Sequence, residues 1–327
     1  MAKKASTLAV VPGARKAHPN AKRAMTHRKA AKAVAPVAGG IQDRAMLAAL
    51  TVRRFHIGRT DQGMEQDIAD ANKAESQMFR VRKHLFRKDA AFKLRALEAQ
   101  LRSEHHLLTL PWEDNGYRIL SSAGYFLYVQ KMQALIEQYK AAADELVEGY
   151  AELKADAKVR LGHRYAEADY PSAAKLRACY AASVSIRPMQ CVEDFRVDLG
   201  VNVVSAVRGE MAAELDAQLK AAYRSVWERL QKVVGHAVDR LRAYSVDAQG
   251  KVSHPFRESL IGNIRDLLEI VPILNVQNDA ALSDYAAKIG AEIAAYSAET
   301  LRDDTAVREK VIDSAEDILA KMAGFLA

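Results

Sequence analysis

Cysteine is almost missing from this 327-residue chain: Cys179 and Cys191 are all there is. Two thiols cannot staple a fold of this length, so a disulfide-built secreted scaffold is excluded and the pair reads as reduced, in the manner of a cytosolic protein. Aromatic residues amount to 7%, with only 16 Gly and 8 Pro against 50% hydrophobic residues, a balance that favours helix. No apolar run approaches the roughly 18 to 20 residues that cross a bilayer, and no apolar segment follows the N-terminus as a secretory signal requires. The expectation is a soluble protein without a membrane partner, in the cytoplasm.

Motifs are missing too. The sixteen glycines form neither a Gly-x-x-x-x-Gly-Lys-Ser/Thr loop nor a Gly-x-Gly-x-x-Gly turn, the two common phosphate cradles. Gly-x-Ser-x-Gly, His-Glu-x-x-His, Cys-x-x-Cys and the Glu-x-x-His repeat of di-iron bundles are absent. The expectation is no enzyme: no catalytic residue, no cofactor and no metal. Glu104-His105-His106 is the best local candidate for a site. Adjacent imidazoles on a helix point about 100° apart and cannot share one ion unaided, so a solvent-facing or capping role is expected.

What is present is charge, unevenly spread. Residues 1–54 hold twelve Lys and Arg against the single acid Asp43, a net +11; the whole chain carries +7, which leaves −4 for the rest. Residues 1–42 lack a periodic apolar face and are interrupted by Pro12, Pro19, Pro36 and Gly39-Gly40, so they read as a disordered basic arm. Lys3, Lys4, Arg15, Lys16, Lys22, Arg23, Arg28, Lys29 and Lys32 are candidate contacts to nucleic-acid phosphates, or else a solubilising tail. Arg80, Arg82, Lys83, Arg87 and Lys88, extended by Lys93 and Arg95, form a second basic crowd that joins the first as a candidate nucleic-acid surface or is a solvated face.

Periodicity supplies the architecture. Thr51–Ile57 reads as a strand. Thr60-Asp61 offers a cap for a helix from Gln62 through Leu85, with a second phase from Phe92 to Leu108. Pro111 to Gly116 has turn chemistry and leads to a long helix, Ser122 to Gly162. Its apolar stripe, Tyr125, Val129, Met132, Ile136, Tyr139, Ala143, Leu146, Tyr150, Leu153 and Ala157, alternates steps of four and three, a heptad seam. A short helix capped near Asp169 or Tyr170 and strands at 182–188 and 195–199 follow. A second long helix spans Asn202 to Tyr244, and three ordinary helices start near His254 (stopping near Pro272), Asp279 and Asp304. The fold class is mainly α: an elongated antiparallel long-helix hairpin with a small β-sheet at one end and a C-terminal helical bundle. The expected divisions are a basic arm (1–42), a long-helix rod with its β element (43–245) and the C-terminal bundle (246–327). Trp112, Tyr117, Tyr170, Pro171 and Trp227 are the candidate interaction surface.

The run Leu110-Pro-Trp-Glu-Asp-Asn-Gly-Tyr-Arg-Ile-Leu120, the helix ending Tyr150-Ala-Glu-Leu, the step Ala166-Glu-Ala-Asp-Tyr-Pro171 and Asp194-Phe-Arg-Val-Asp-Leu199 resemble a family of bacteriophage and prophage proteins of unknown function. Those proteins are commonly encoded near MoxR- or cobaltochelatase-like AAA+ ATPases. The resemblance covers roughly Leu50 to Leu274. It implies phage origin, the cytoplasm of a bacterial host or the virion as location, and a AAA+ ATPase as partner. Three functions are expected in turn: a non-enzymatic helical adaptor, from the long seams and the resemblance; a nucleic-acid-binding or packaging accessory, from the +11 of residues 1–54; and a virion structural component. A heptad seam is satisfied within a chain or by a second copy, so a homo-oligomer stands beside these partners.

Overall fold

The computed structural model describes residues 40–112, 116–190 and 201–326, the side chains of Val201 and Asn202 apart. Eleven helices dominate these residues, with a small antiparallel sheet and two short β-ribbons. The fold is therefore mainly α, and the described residues belong to one compact unit. The expected arm residues Lys3 to Lys32 and the expected strand at 195–199 lie outside the described residues. No helix among the described residues is long and apolar enough to cross a membrane.

A one-turn helix α1 (Ile41–Arg44) leads into β1 (Ala45–Arg53). This strand starts six residues before the expected Thr51. Its neighbours override the weak β preference of an Ala- and Leu-rich stretch: in the register, Leu47 faces Ile119 on one side and Arg187 on the other. β2 (Gly58–Thr60) follows, and Asp61 caps α2 (Gln62–Asn72) by accepting from the Met64 N–H at 3.1 Å.

The helix expected through Leu85 stops early. Lys73 enters the left-handed region at φ 52, and the chain runs through a 3₁₀ turn (Ser76–Met78) into β3 (Arg82–His84), paired with β2. α3 (Phe92–Leu107) is the expected second phase, burying Leu94, Leu97, Leu101 and His105. The turn expected at Pro111–Gly116 falls largely on residues 113–115, which lie outside the described residues; on either side of them are two antiparallel strands, β4 (Leu110–Pro111) and β5 (Tyr117–Ser121), rather than two helices. Gly116 takes φ +91.

The first long helix is two: α4 (Tyr125–Glu148) and α5 (Tyr150–Leu161), parted at Gly149. Its seam faces inward. Met132, Tyr139, Ala143, Leu146, Tyr150 and Ala157 are buried, and Tyr125, Val129, Ile136 and Leu153 pack half-buried on the same core. α6 (Ala173–Cys179) is capped by Ser172, not by Asp169 or Tyr170, and feeds β6 (Ala181–Pro188), the edge of a sheet ordered β4-β5-β1-β6.

α7 (Val201–Ala243) leads to the ribbon β7 (Ser245–Val246) and β8 (Val252–Ser253). α8 (Ser259–Leu274) begins later than His254 and passes Pro272 before ending, and α9 (Ala280–Glu292) is capped by Asp279. A short α10 (Ala298–Asp303) precedes α11 (Thr305–Met322), capped by Asp304. The rod expected over residues 43–245 would hold the two long helices side by side, and they are not so placed. α4 packs on α3, β6 and α6; α7 packs on α8, α11 and β4. From Val203 to Ala221 no α7 residue is buried, whereas Ala222, Val226, Trp227, Leu230, Val234, Ala237, Val238 and Leu241 enter the core.

Candidate functional site: a basic cleft at the start of α3

The chain segment leaving β1 turns outward at Arg54 and returns at Gly58, so that five residues, Arg54 to Gly58, form one wall of a cleft. β3 supplies Arg82 and His84, the first turn of α3 supplies Ala91, Leu94 and Arg95, and Tyr139 and Tyr180 close it from α4 and the α6–β6 junction. The enclosed volume is about 490 Å³, within the range of small-ligand sites. Two shallower depressions adjoin it. One shares Gly58 and Arg82 and adds Arg59, Thr60 and Arg80; the other shares Arg54, His56 and Glu98 and adds Arg53, Arg102 and Cys179. Together they make a cationic track across the β2–β3 ribbon.

Glu98 is the single acid of the central cleft, and two arginines already engage it: Arg54 Nη1 at 2.9 Å and Arg102 Nη2 at 3.0 Å. Tyr139 donates its hydroxyl to the Arg53 carbonyl at 2.9 Å, which fixes the end of β1 to α4. Tyr180, 3% exposed, has an enclosed hydroxyl with no hydrogen-bond partner among the described residues. Burial pushes both phenols up to about 12, helped by Glu98 at Tyr139 and by Tyr139 at Tyr180. Both are therefore protonated donors at neutral pH.

The expected basic residues divide. Arg80 and Arg82 are exposed and border the track. Lys83 is committed elsewhere: its Nζ lies 2.8 Å from Asp169 and donates to the Arg164 carbonyl at 3.0 Å, pinning the β2–β3 ribbon to the chain after α5. Arg87 lies 3.6 Å from Asp89 and 3.9 Å from Asp156, and the Lys88 carbonyl accepts from Arg95. Arg54 counts only as bulk charge in the sequence, Arg95 belongs to the second basic crowd, and Tyr139 and Tyr180 read as packing residues. The adjacent pair Arg53-Arg54 at a strand end is the one local signal for the cleft.

Of the expected interaction surface, Trp227 and Tyr170 are buried, while Trp112, Tyr117 and Pro171 stay partly exposed. Trp227, 1% exposed, stacks on Phe325 at 4.3 Å and meets Tyr285 edge-on at 5.6 Å. Tyr170 is buried against Phe86 and donates to the Leu85 carbonyl at 3.0 Å. The Pro171 carbonyl accepts from Tyr150 at 2.7 Å. Tyr117, half-buried on β5, lies under the Arg187 guanidinium at 3.6 Å, and Trp112 packs half-buried on the core.

His105 is interior as well. Its Nδ1 lies 2.7 Å from the Tyr128 hydroxyl, and burial, then Arg118, His106 and Arg102, hold its pKa down at about 4. Around it Arg118 donates to the Thr109 hydroxyl at 2.8 Å, while Arg229, from α7, donates to the carbonyls of Leu107 (3.0 Å), His106 (3.0 Å) and Thr109 (2.8 Å). This network ends α3 and ties it to α7. No cluster of His, Cys, Asp and Glu suited to a metal ion occurs among the described residues. No family model, curated protein or solved structure matches the chain.

Proposed function

We propose that this chain is a non-enzymatic accessory protein that binds nucleic acid along the basic track, with the arm of residues 1–42 adding further phosphate contacts. The observation that carries this reading is the alignment of Arg59, Arg80, Arg82, Arg54 and Arg102 through three adjoining depressions in which the one acid, Glu98, is already paired. Phosphate contacts of this kind give affinity by counterion release and little sequence preference.

Fluorescence anisotropy with labelled oligonucleotides over a salt series tests it. Affinity is expected to fall steeply with salt, and Arg59→Ala and Arg80→Ala each to lower the log–log slope by about 1. Binding that ignores salt, or that survives the Arg59→Ala/Arg80→Ala/Arg82→Ala variant unchanged, refutes the reading.

A AAA+ ATPase adaptor is the second reading, carried by the phage-protein resemblance at Leu110–Leu120 and Ala166–Pro171. Its other support, the heptad seam from Tyr125 to Ala157, is spent inside the chain. Co-purification with a neighbouring ATPase in the presence of ATP tests this partner, and the absence of any association counts against it.

A further inference from the structure

The central cleft differs from the rest of the track. Arginines form its rim, but beneath them the walls are apolar: Phe55, Leu94 and the ring edges of Tyr139 and Tyr180. A phosphodiester backbone alone uses the rim and leaves such an interior empty, whereas an anion that carries a flat apolar body uses both.

The cleft also receives a helix end. α3 starts at Ala91 and Phe92 with no side-chain cap and no acidic residue in its first turn, although it runs for 16 residues. The first N–H groups of a helix lack intrahelical acceptors and carry the positive end of its dipole; here the Phe92 N–H donates to the Asp89 carbonyl at 2.9 Å, outside the helix. That turn, through Ala91, Leu94 and Arg95, lines the cleft beside Arg82. Anions settle at such ends.

The third observation is independent of the helix. Tyr180 lines the same cleft with an enclosed hydroxyl that no described residue satisfies, while its neighbour Tyr139 spends its own on the Arg53 carbonyl. A buried donor without an acceptor costs about 1–3 kcal/mol until a ligand oxygen or nitrogen meets it. Rim cations, a helix start without a side-chain cap and an apolar interior thus converge on a single cavity, with one unpartnered phenol enclosed in its wall.

We propose that the cleft holds one nucleoside monophosphate unit, its phosphate at the start of α3 between Arg82 and Arg95 and its nucleoside body against Phe55 and Tyr139, within reach of Tyr180. The unit is either a free nucleotide or the 5′-phosphorylated end of a single strand. This inference rests on the reading of the track as a nucleic-acid face and adds a chemical group to it.

The test uses the full chain and four probes: thymidine 5′-monophosphate, inorganic phosphate, one oligothymidylate with either a 5′-phosphate or a 5′-hydroxyl, and a circular single strand without ends. If the inference holds, either the mononucleotide binds more tightly than inorganic phosphate, or the phosphorylated strand binds about tenfold more tightly than the hydroxyl strand; the first result assigns a free nucleotide and the second a strand end. In either case Arg82→Ala and Arg95→Ala each weaken that binding by about tenfold, the loss of one charge-assisted contact. Tyr180→Phe weakens it by about fivefold with no loss of thermal stability, because the variant removes an unsatisfied hydroxyl. Equal affinity for the two strands together with no preference for the mononucleotide overturns the proposal. If the circular strand still binds in a salt-dependent way, the track reading survives that result; if it does not bind, both readings fall.

Discussion

Arg229 offers the sharpest test of how the long helix α7 is fastened to the rest. Its guanidinium donates to three main-chain carbonyls, those of His106, Leu107 and Thr109, where α3 ends and β4 begins. Burial holds its pKa below the ordinary arginine value, so its placement carries a desolvation cost that the three contacts offset. Hydrogen bonds to a charged group contribute about 1.5–3 kcal/mol each, but three on one guanidinium do not add. A cation at a helix C-terminus contributes about 0.3–1 kcal/mol more. Arg229→Met keeps the apolar stem and removes all five donors. The expected loss is about 2–4 kcal/mol, with Arg229→Lys in between because one ammonium cannot span three acceptors. Urea unfolding of the full chain measures it: the midpoint should fall while the slope stays unchanged. A loss under about 0.5 kcal/mol, or Lys equal to Arg, would refute the reasoning that this fork joins α7 to α3.

Three further outcomes follow from single residues. His105 has a folded pKa of about 4 against an ordinary 6.5, so the unfolded chain takes up a proton first as pH falls; the stability from the neutral ring is complete above pH 6.5 and is lost between 6.5 and about 4, about 3 kcal/mol in all. His105→Gln should flatten that part of the stability–pH curve, and an unchanged slope would count against a neutral buried imidazole. Gly149 sits at φ −79, ψ 1, with nothing closer than 3.8 Å to an added Cβ; Gly149→Ala should therefore stabilise by about 0.5–1 kcal/mol, read as a raised melting temperature. Trp227→Ala should cost about 3–5 kcal/mol through the cavity left between Tyr285 and Phe325, and a wild-type emission maximum typical of water-exposed indole would contradict its burial.

Much of the helical framework is legible because its signals are local. Asp61, Asp279 and Asp304 are readable as caps, and each accepts from a first-turn N–H at 3.1, 2.8 and 3.0 Å. The seam from Tyr125 to Ala157 also faces the core as its period requires. What fails depends on distant partners. Ala45–Leu50 is an Ala- and Leu-rich stretch that becomes strand only because β5 and β6 flank it, and the β2–β3 pairing pulls the chain out of the helix expected through Leu85. The pairing of the long helices goes wrong for a similar reason: an apolar stripe says that a helix is covered, not by which element. The cleft is the hardest to see. It gathers Arg54, Arg82, Arg95, Tyr139 and Tyr180 from five separate segments, and no spacing in the sequence relates them.

The fully buried side chains of α7, among the described residues, all lie in its second half. Among residues 203–221 none is fully buried, and Val204, Val207, Met211, Leu215 and Leu219 keep part of their surface exposed, while Ala222, Val226, Trp227, Leu230, Val234, Ala237, Val238 and Leu241 enter the core. Amide hydrogens of the first half should therefore exchange through local opening at a small fraction of the free energy that protects the second half, giving two regimes within one continuous helix. A protease would then nick the first half before it touches the second, and the boundary of protection would fall close to Ala222.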